Sequence, residues 1–212
     1  MFSLYGLLIG VAVVVGVSIA EYIDRRVSKA FPWVVAGGLV GARVYHLIDY
    51  SDYYLANLEQ IVAIWNGGLG IWGGVIGGAI ALIVYQRLNM IKEGWRMVGA
   101  IAIALPISQA IGRVGNYLNG EFTNQVGWLS WWGIEAGLNL ILFGILWRLH
   151  KRGLSSQRIV GSYFVGYGSI RFWLEFWRND SWKLGELGVA QWISIISIVI
   201  GLWLWQQQNV QE

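Results

Sequence analysis

Long apolar stretches separated by short polar segments make up most of this chain. Each stretch is close to the length of about 20 residues that a helix needs to cross a bilayer. The predicted spans cover residues 3–20, 32–48, 64–85, 97–114, 131–149, 159–177 and 190–206. The pattern therefore predicts an all-α polytopic membrane protein with seven transmembrane helices, folded as a single domain over residues 1–212.

The charges of the connecting segments alternate along the chain. Lysine and arginine are concentrated in segments 25–29, 87–96 and 151–158, whereas acidic residues dominate the loops between them. Because basic loops stay on the cytoplasmic side, this asymmetry predicts an N-terminus outside and a C-terminus in the cytoplasm. No basic residue precedes the first apolar stretch, which is the reverse of a secretory signal peptide, so we expect the first helix to be retained.

The composition agrees with a membrane protein and excludes several other classes. Apolar residues form 56% of the chain and charged residues only 13%, too few to cover a soluble domain of this size. The net charge of +3 comes from clustered loop residues and does not indicate nucleic-acid binding. The absence of cysteine excludes disulfides, thiolate catalysis and cysteine-based metal sites, so any reacting thiol must belong to a substrate. We expect neither a metal nor a cofactor.

Tryptophan and glycine are both abundant, and each suggests a structural use. Many tryptophans, including Trp33, Trp95, Trp131 and Trp132, fall near predicted span ends, where interfacial anchors are usual. In the third span, small residues recur at the spacing that lets helices approach closely. These are the glycines at 70, 73, 74, 77 and 78. Close helix packing is the preferred interpretation there, and direct ligand contact is the alternative.

Five charged residues interrupt the apolar pattern inside the predicted spans: Arg43, Arg113, Glu135, Arg171 and Glu175. Each costs about 2.5 to 3.5 kcal/mol at a helix centre, so each needs a partner, water or a function. The predicted orientation places all five in the outer half of the membrane. We therefore expect them to share one outward-facing cavity.

Local spacing arranges these charges in polar stripes, because residues three or four apart share a helix face. One hypothesis is a purely structural ion-pair network. The preferred hypothesis is that a carboxylate holds one edge of a guanidinium while the other edge binds a phosphate. Three arginines against two carboxylates leave room for an anion. The stripes are Tyr167, Arg171, Glu175 and Arg178; Gln109, Arg113 and Asn116; and Arg43 with His46.

The segment GRVGNYLNGE at 112–121 resembles the signature of the prolipoprotein diacylglyceryl transferases. Further matching segments follow in the family's order: LYG at 4–6, GARVY at 41–45, IWNGGLGIWGGVIGG at 64–78 and GYGSIRFWLEFWRND at 166–180. The resemblance implies an enzyme of the bacterial inner membrane with its active site toward the outer leaflet. Such an enzyme transfers a diacylglyceryl group from phosphatidylglycerol to the lipobox cysteine of a prolipoprotein signal peptide, releasing glycerol phosphate.

The resemblance also implies roles for individual residues. Arg113 and Arg171 would clamp the phosphate and act in catalysis together with Glu121 and Tyr5. The remaining matching residues would bind substrate: Arg43, Gly73, Gly74, Asn116, Asn119, Glu135, Tyr167 and Glu175.

The chain departs from the family at positions that matter for proton transfer. Trp72 stands where the family has a histidine, and the head region is reduced to residues 122–130. His46 could replace the missing base, although an interfacial aromatic hydrogen-bonded to a loop is the preferred interpretation of that residue. The other hypotheses are Glu121, or a proton lost directly to water or to the leaving phosphate.

Two other function classes stay open. A non-catalytic relative that binds anionic lipid or a lipoprotein precursor is suggested by Trp72. A small transporter is suggested by seven helices with buried charge, but it predicts charges through the full membrane depth rather than in one half.

Overall fold

The computed structural model describes residues 4–120, 125–126, 129–178 and 183–207. Within these ranges, seven helices have 18 residues or more, and the short helix α3 follows the second of them. Two antiparallel pairs of two-residue strands pair Gln125 with Ser130 and Lys183 with Gly188. The helices are α1 (Leu4–Ile23), α2 (Arg26–Asp49), α3 (Ser51–Ala56), α4 (Ile71–Leu88), α5 (Gly94–Leu118), α6 (Trp131–Lys151), α7 (Ser156–Leu174) and α8 (Val189–Gln206), and the strands are β1 (Gln125–Val126), β2 (Leu129–Ser130), β3 (Lys183–Leu184) and β4 (Leu187–Gly188).

Six helices of the described chain, α1, α2, α4, α5, α6 and α8, are long and apolar enough to cross a membrane. The predicted all-α polytopic membrane protein is thereby confirmed. Helix α7 has 19 residues but does not belong to this apolar set, since Arg158, Arg171 and several hydroxyl side chains lower its hydropathy. Of the candidate site residues, Tyr167 and Arg171 lie in this helix.

Two predicted span boundaries are wrong. The third span was expected to begin at residue 64, but helix α4 begins at Ile71, after 3₁₀ turns at Leu58–Ile61 and Ile64–Asn66. Gly67 and Gly68 have φ of 85° and 74°, a left-handed conformation that interrupts a helix. Similarly, α7 ends at Leu174, and Glu175–Trp177 continue as a 3₁₀ turn.

The chain forms two compact units, one of which covers residues 26–94. The main feature of this unit is the close approach of α2 and α4 through facing glycines. A Cβ atom added at Gly41 would lie 2.8 Å from the Cα of Gly77, and one added at Gly77 would lie 2.9 Å from the Cα of Gly41. Gly37 and Gly73 face the opposite backbone in the same way. This confirms the prediction of close helix packing.

The other unit contains α1 and α5–α8. Its apolar core includes Ile103, Leu146 and Ile159, all fully buried. Ser108 of α5 donates a hydrogen bond to the carbonyl of Ala12 in α1, with an oxygen–oxygen distance of 2.9 Å. The core thus holds α5, α6 and α7 side by side.

Candidate functional site

One buried carboxylate joins two arginines from different helices. Glu135, in the second turn of α6, has no solvent exposure. Its Oε1 lies 2.9 Å from Nη2 of Arg113 in α5, and its Oε2 lies 3.4 Å from Nη1 of Arg171 in α7. Nη1 of Arg171 also lies 3.5 Å from Oε1, so the two guanidiniums share this carboxylate and lie next to each other.

A second carboxylate extends this cluster along α7. The Oε2 atom of Glu175 lies 3.3 Å from Nη2 of Arg171 and 3.8 Å from Nη1 of Arg178. The predicted stripe on α7 is therefore real, and it continues across the 3₁₀ turn that follows the helix. The five groups comprise three arginines and two carboxylates, so the cluster carries a net charge of +1. The third arginine of the cluster is Arg178, the last residue of the predicted stripe on α7.

A polar layer lies one turn from the arginines. The hydroxyl of Tyr167 is hydrogen-bonded to the Arg113 side chain, and its ring stacks on that of Tyr163 with centroids 5.7 Å apart. Nε2 of Gln109 donates to the Tyr163 hydroxyl at 3.0 Å. Gln109 precedes Arg113 by four residues on α5, and Tyr167 precedes Arg171 by four residues on α7. Each pair shares a helix face, so this polar layer packs beside the side chains of both arginines.

Asn139 was not singled out from the sequence. It lies one turn after Glu135 on α6 and has no solvent exposure, and neither of its amide atoms has a hydrogen-bond partner among the described residues. Its polar side chain within an apolar span, four residues from Glu135, was the signal that could have identified it.

Trp131 was predicted to be an interfacial anchor, and that prediction is wrong. Only 1% of its surface is exposed, and its indole nitrogen donates to the carbonyl of Leu174 at 3.1 Å. The Cζ atoms of Arg113 and Arg171 lie 5.5 Å and 5.7 Å from the centroid of its ring. The ring is buried because it packs between two helices of the protein and does not face lipid.

Three further predicted residues lie at the same end of α5. Tyr5, in the first turn of α1, faces α5, since a Cβ added at Gly115 would lie 3.5 Å from its Cδ2 atom. Asn116 is half-buried in the last turn of α5, and Asn119 is exposed just after it. Glu121 lies outside the described residues.

Arg43 belongs to the unit of residues 26–94 and has contacts of its own there. It is 7% exposed, and its guanidinium donates to the backbone carbonyls of the loop before α4. The acceptors are Ile61 at 3.0 Å, Gly67 at 2.7 Å, Gly68 at 3.0 Å, and Gln60. Arg43 therefore organises this loop, and its substrate-binding role stays a prediction.

His46 and Tyr54 form a pair in this same unit. The hydroxyl of Tyr54 is 3.0 Å from Nδ1 of His46, and the histidine ring also stacks on Tyr50 at a centroid distance of 4.5 Å. These contacts match the interpretation of His46 as a hydrogen-bonded aromatic. They leave its role as a base untested.

The two glycines predicted to bind substrate are part of the α2–α4 contact. A Cβ added at Gly73 would lie 2.8 Å from the carbonyl carbon of Gly41, whereas one added at Gly74 would meet nothing closer than 3.7 Å. Within the described ranges, no group of three or more histidines and acidic residues is placed to hold a metal ion.

Comparison with known proteins decides the family. The family model described as prolipoprotein diacylglyceryl transferase matches residues 1–207. The chain belongs to this family. The phosphatidylglycerol-prolipoprotein diacylglyceryl transferase of Trichormus variabilis is 32% identical over 97% of this chain and 86% of the relative. The enzyme of that name from Lactococcus lactis subsp. cremoris is 32% identical over 82% of this chain and 75% of the relative.

As a member of the prolipoprotein diacylglyceryl transferases, the chain is a membrane-bound transferase of lipoprotein biosynthesis. The described part of the family-like segment 112–121 ends helix α5, with Arg113 inside the ion-pair cluster. The segment 166–180 supplies Tyr167, Arg171, Glu175 and Arg178 to the same cluster. Two of the five segments that carry the resemblance therefore meet in space.

Proposed function

We propose that this chain transfers a diacylglyceryl group from phosphatidylglycerol to the lipobox cysteine thiol of a bacterial prolipoprotein. The sulfur forms a thioether with the glyceryl carbon, the bond from that carbon to the phosphate oxygen breaks, and glycerol phosphate leaves. The observation that supports this function is the pair of adjacent arginines, Arg113 and Arg171, on one buried carboxylate in a cluster of net positive charge.

The arginines suit a departing phosphate for electrostatic reasons. Side-chain exposure is 19% for Arg113 and 14% for Arg171, so both act in a poorly solvated environment. Negative charge accumulates on the phosphate as the carbon–oxygen bond breaks, and fixed cations stabilise it most in the transition state. Glu135 and Glu175 hold the guanidiniums in place while part of each remains directed to the phosphate.

The substrate thiol has an ordinary pKa of about 8.5 and must lose its proton before or during attack. Nearby guanidiniums lower the pKa of such a thiol. Trp72 cannot accept a proton, so the acceptor is His46, Glu121, water or the leaving phosphate. Transfer by His46→Ala at the wild-type rate would eliminate His46 from this set.

The family resemblance assigns roles to further residues. Tyr5 and Glu121 act together with the arginines in catalysis. Substrate contacts are assigned to five residues of the unit that contains the ion-pair cluster and, separately, to three residues of the unit of residues 26–94. They are Asn116, Asn119, Glu135, Tyr167 and Glu175, and Arg43, Gly73 and Gly74.

The proposed topology has seven transmembrane helices, including the polar α7, in the bacterial inner membrane. The N-terminus lies outside, the C-terminus lies in the cytoplasm, and the site faces the outer leaflet. The alternating loop charges support this orientation.

The orientation can be tested by cysteine labelling, since the chain has no cysteine of its own. Single cysteines are introduced at exposed Glu186 and Arg87 and treated with a membrane-impermeant thiol reagent. Labelling of intact cells is expected for Glu186→Cys only, and the reverse pattern would invert the topology.

The decisive experiment is reconstitution of purified protein with phosphatidylglycerol and a lipobox peptide, scored by peptide mass. The wild type is expected to add one diacylglyceryl group. Arg113→Ala and Arg171→Ala are each expected to lower the rate at least about 100-fold, the usual effect of removing one transition-state charge contact. Arg87→Ala, at an exposed arginine outside the cluster, serves as the matched control.

A wild-type protein that gives no mass gain would refute the enzyme function. If that protein still bound phosphatidylglycerol or the peptide, it would be a non-catalytic relative, the alternative that Trp72 suggests. Full activity in both arginine variants would refute the assignment of the arginines.

A further inference from the structure

Trp131 contacts both arginines of the candidate site through a single ring. The Cζ atom of Arg113 lies 5.5 Å from the ring centroid, and that of Arg171 lies 5.7 Å from it. Both distances are within the range of about 6 Å in which a cation is attracted to an aromatic face. The two guanidiniums thus share an aromatic contact as well as the carboxylate of Glu135.

Aromatic rings and anions bind different parts of a guanidinium. All guanidinium N–H groups lie in the plane of the group, so carboxylates and phosphates bind its edges, while aromatic rings bind its faces. Contact with Trp131 therefore attracts each arginine without occupying a donor. The donors bound by Glu135 and Glu175, and those directed to a phosphate, stay in defined directions.

The position of the ring is itself restrained. Trp131 is the first residue of α6, is 1% exposed, and donates its indole N–H to the carbonyl of Leu174, the last residue of α7. This bond connects the start of α6 with the point where α7 turns toward Glu175. The indole N–H thus anchors the ring, and the ring face contacts the arginines.

We propose that Trp131 is a positioning residue that sets the relative orientation of Arg113 and Arg171 for the phosphate of the lipid substrate. The inference rests on the proposed transferase function. It assigns two separable tasks to one side chain: anchoring through the indole nitrogen and orientation through the aromatic face.

The two tasks can be separated by substitution. Trp131→Phe keeps an aromatic face but loses the bond to Leu174, whereas Trp131→Leu loses both. The adjacent Trp132, whose ring stacks on Tyr117 with centroids 4.4 Å apart, supplies the matched control Trp132→Leu. Transfer kinetics with phosphatidylglycerol and a lipobox peptide are measured per folded molecule, alongside thermal unfolding in detergent.

For Trp131→Leu we expect kcat to fall about 30-fold with the KM for phosphatidylglycerol changed less than about threefold, because the arginines matter most in the transition state. Trp131→Phe is expected to keep kcat within about threefold of wild type while its melting temperature falls. Trp132→Leu is expected to leave kcat near the wild-type value.

Equal kcat values for Trp131→Phe and Trp131→Leu would overturn the proposal, because the aromatic face would then have no role. A wild-type kcat in Trp131→Leu would overturn it as well. If Trp131→Leu does not fold, Trp131→Met replaces it in the comparison with Trp131→Phe: a kcat about 30-fold below that of Trp131→Phe supports the proposal, and equal kcat values refute it. Failure of the proposed function is recognised separately, as absence of turnover in the wild type.

Discussion

Replacing Glu135 by glutamine tests whether this buried carboxylate holds the two arginines together. Glu135 has no solvent exposure; its Oε1 pairs with Arg113, and Arg171 lies closer to its Oε2, at 3.4 Å, than to its Oε1, at 3.5 Å. Glutamine has the same shape, but it is neutral and offers only one acceptor oxygen. The amide nitrogen at the second position is a donor and faces a guanidinium that has only donors.

The expected loss of stability follows from the burial of the ion pairs. Removing one partner of a buried ion pair costs about 3 to 5 kcal/mol. Because glutamine keeps one acceptor and Arg171 keeps its bond to Glu175, we expect the lower limit, about 3 kcal/mol. For a chain of this length, each kcal/mol lowers the melting temperature by about 2 to 4 °C, so the expected decrease is about 6 to 12 °C.

The same substitution changes the response to lipid. The net charge of the five-residue cluster rises from +1 to +2 when Glu135 becomes neutral. Phosphatidylglycerol should therefore stabilise Glu135→Gln more than the wild type, whereas zwitterionic phosphatidylcholine should affect both equally. Thermal unfolding in detergent with each lipid measures both effects.

Glu186→Gln is the matched control, because Glu186 is exposed in the turn between β3 and β4. Neutralising it is expected to change the melting temperature by less than about 2 °C. If Glu135→Gln behaves like this control, the pairing of both arginines with Glu135 does not hold the site together.

Three further predictions concern the surrounding structure. Gly77→Leu should destabilise the α2–α4 contact by about 1 to 3 kcal/mol in thermal unfolding, whereas Gly74→Ala should be tolerated; equal effects would contradict the packing. Arg43→Lys loses the planar fork that binds the loop carbonyls, so limited proteolysis within residues 58–70 should accelerate, and an unchanged cleavage rate would refute this role. Arg178→Ala should reduce transfer less than Arg171→Ala in the peptide-mass assay, because its ion pair with Glu175 is the longest in the cluster, at 3.8 Å; equal losses would contradict this ranking.

Much of the candidate site could be predicted because charges are so costly inside a membrane. The charges Arg113, Glu135, Arg171 and Glu175 were expected to share a site, and the structure joins them by ion pairs. The helical spacing of Tyr167, Arg171 and Glu175 placed them on one face before any tertiary contact was known. The energetic cost of a charge in a membrane and the helix period of about 3.6 residues were enough to predict these four charges as one group.

Arg43 shows where such reasoning stops. Its position along the second span predicted a depth in the membrane, but depth does not specify which neighbours surround a helix. The guanidinium of Arg43 binds the carbonyls of a glycine-containing loop that was expected to be the start of a helix. Because Gly67 and Gly68 adopt a left-handed conformation, their carbonyls are directed away from a helical pattern and accept these bonds.

The sequence by itself determined the class of protein, since runs of about 20 apolar residues fold as membrane helices in any arrangement. It also determined the family, through segments whose order along the chain is diagnostic, and the charges that must be paired. Only the tertiary structure decided the use of Trp131. A tryptophan at a helix end is equally suited to face lipid or to face a neighbouring helix, and the packing of α6 against α7 turned this one inward, onto the two arginines.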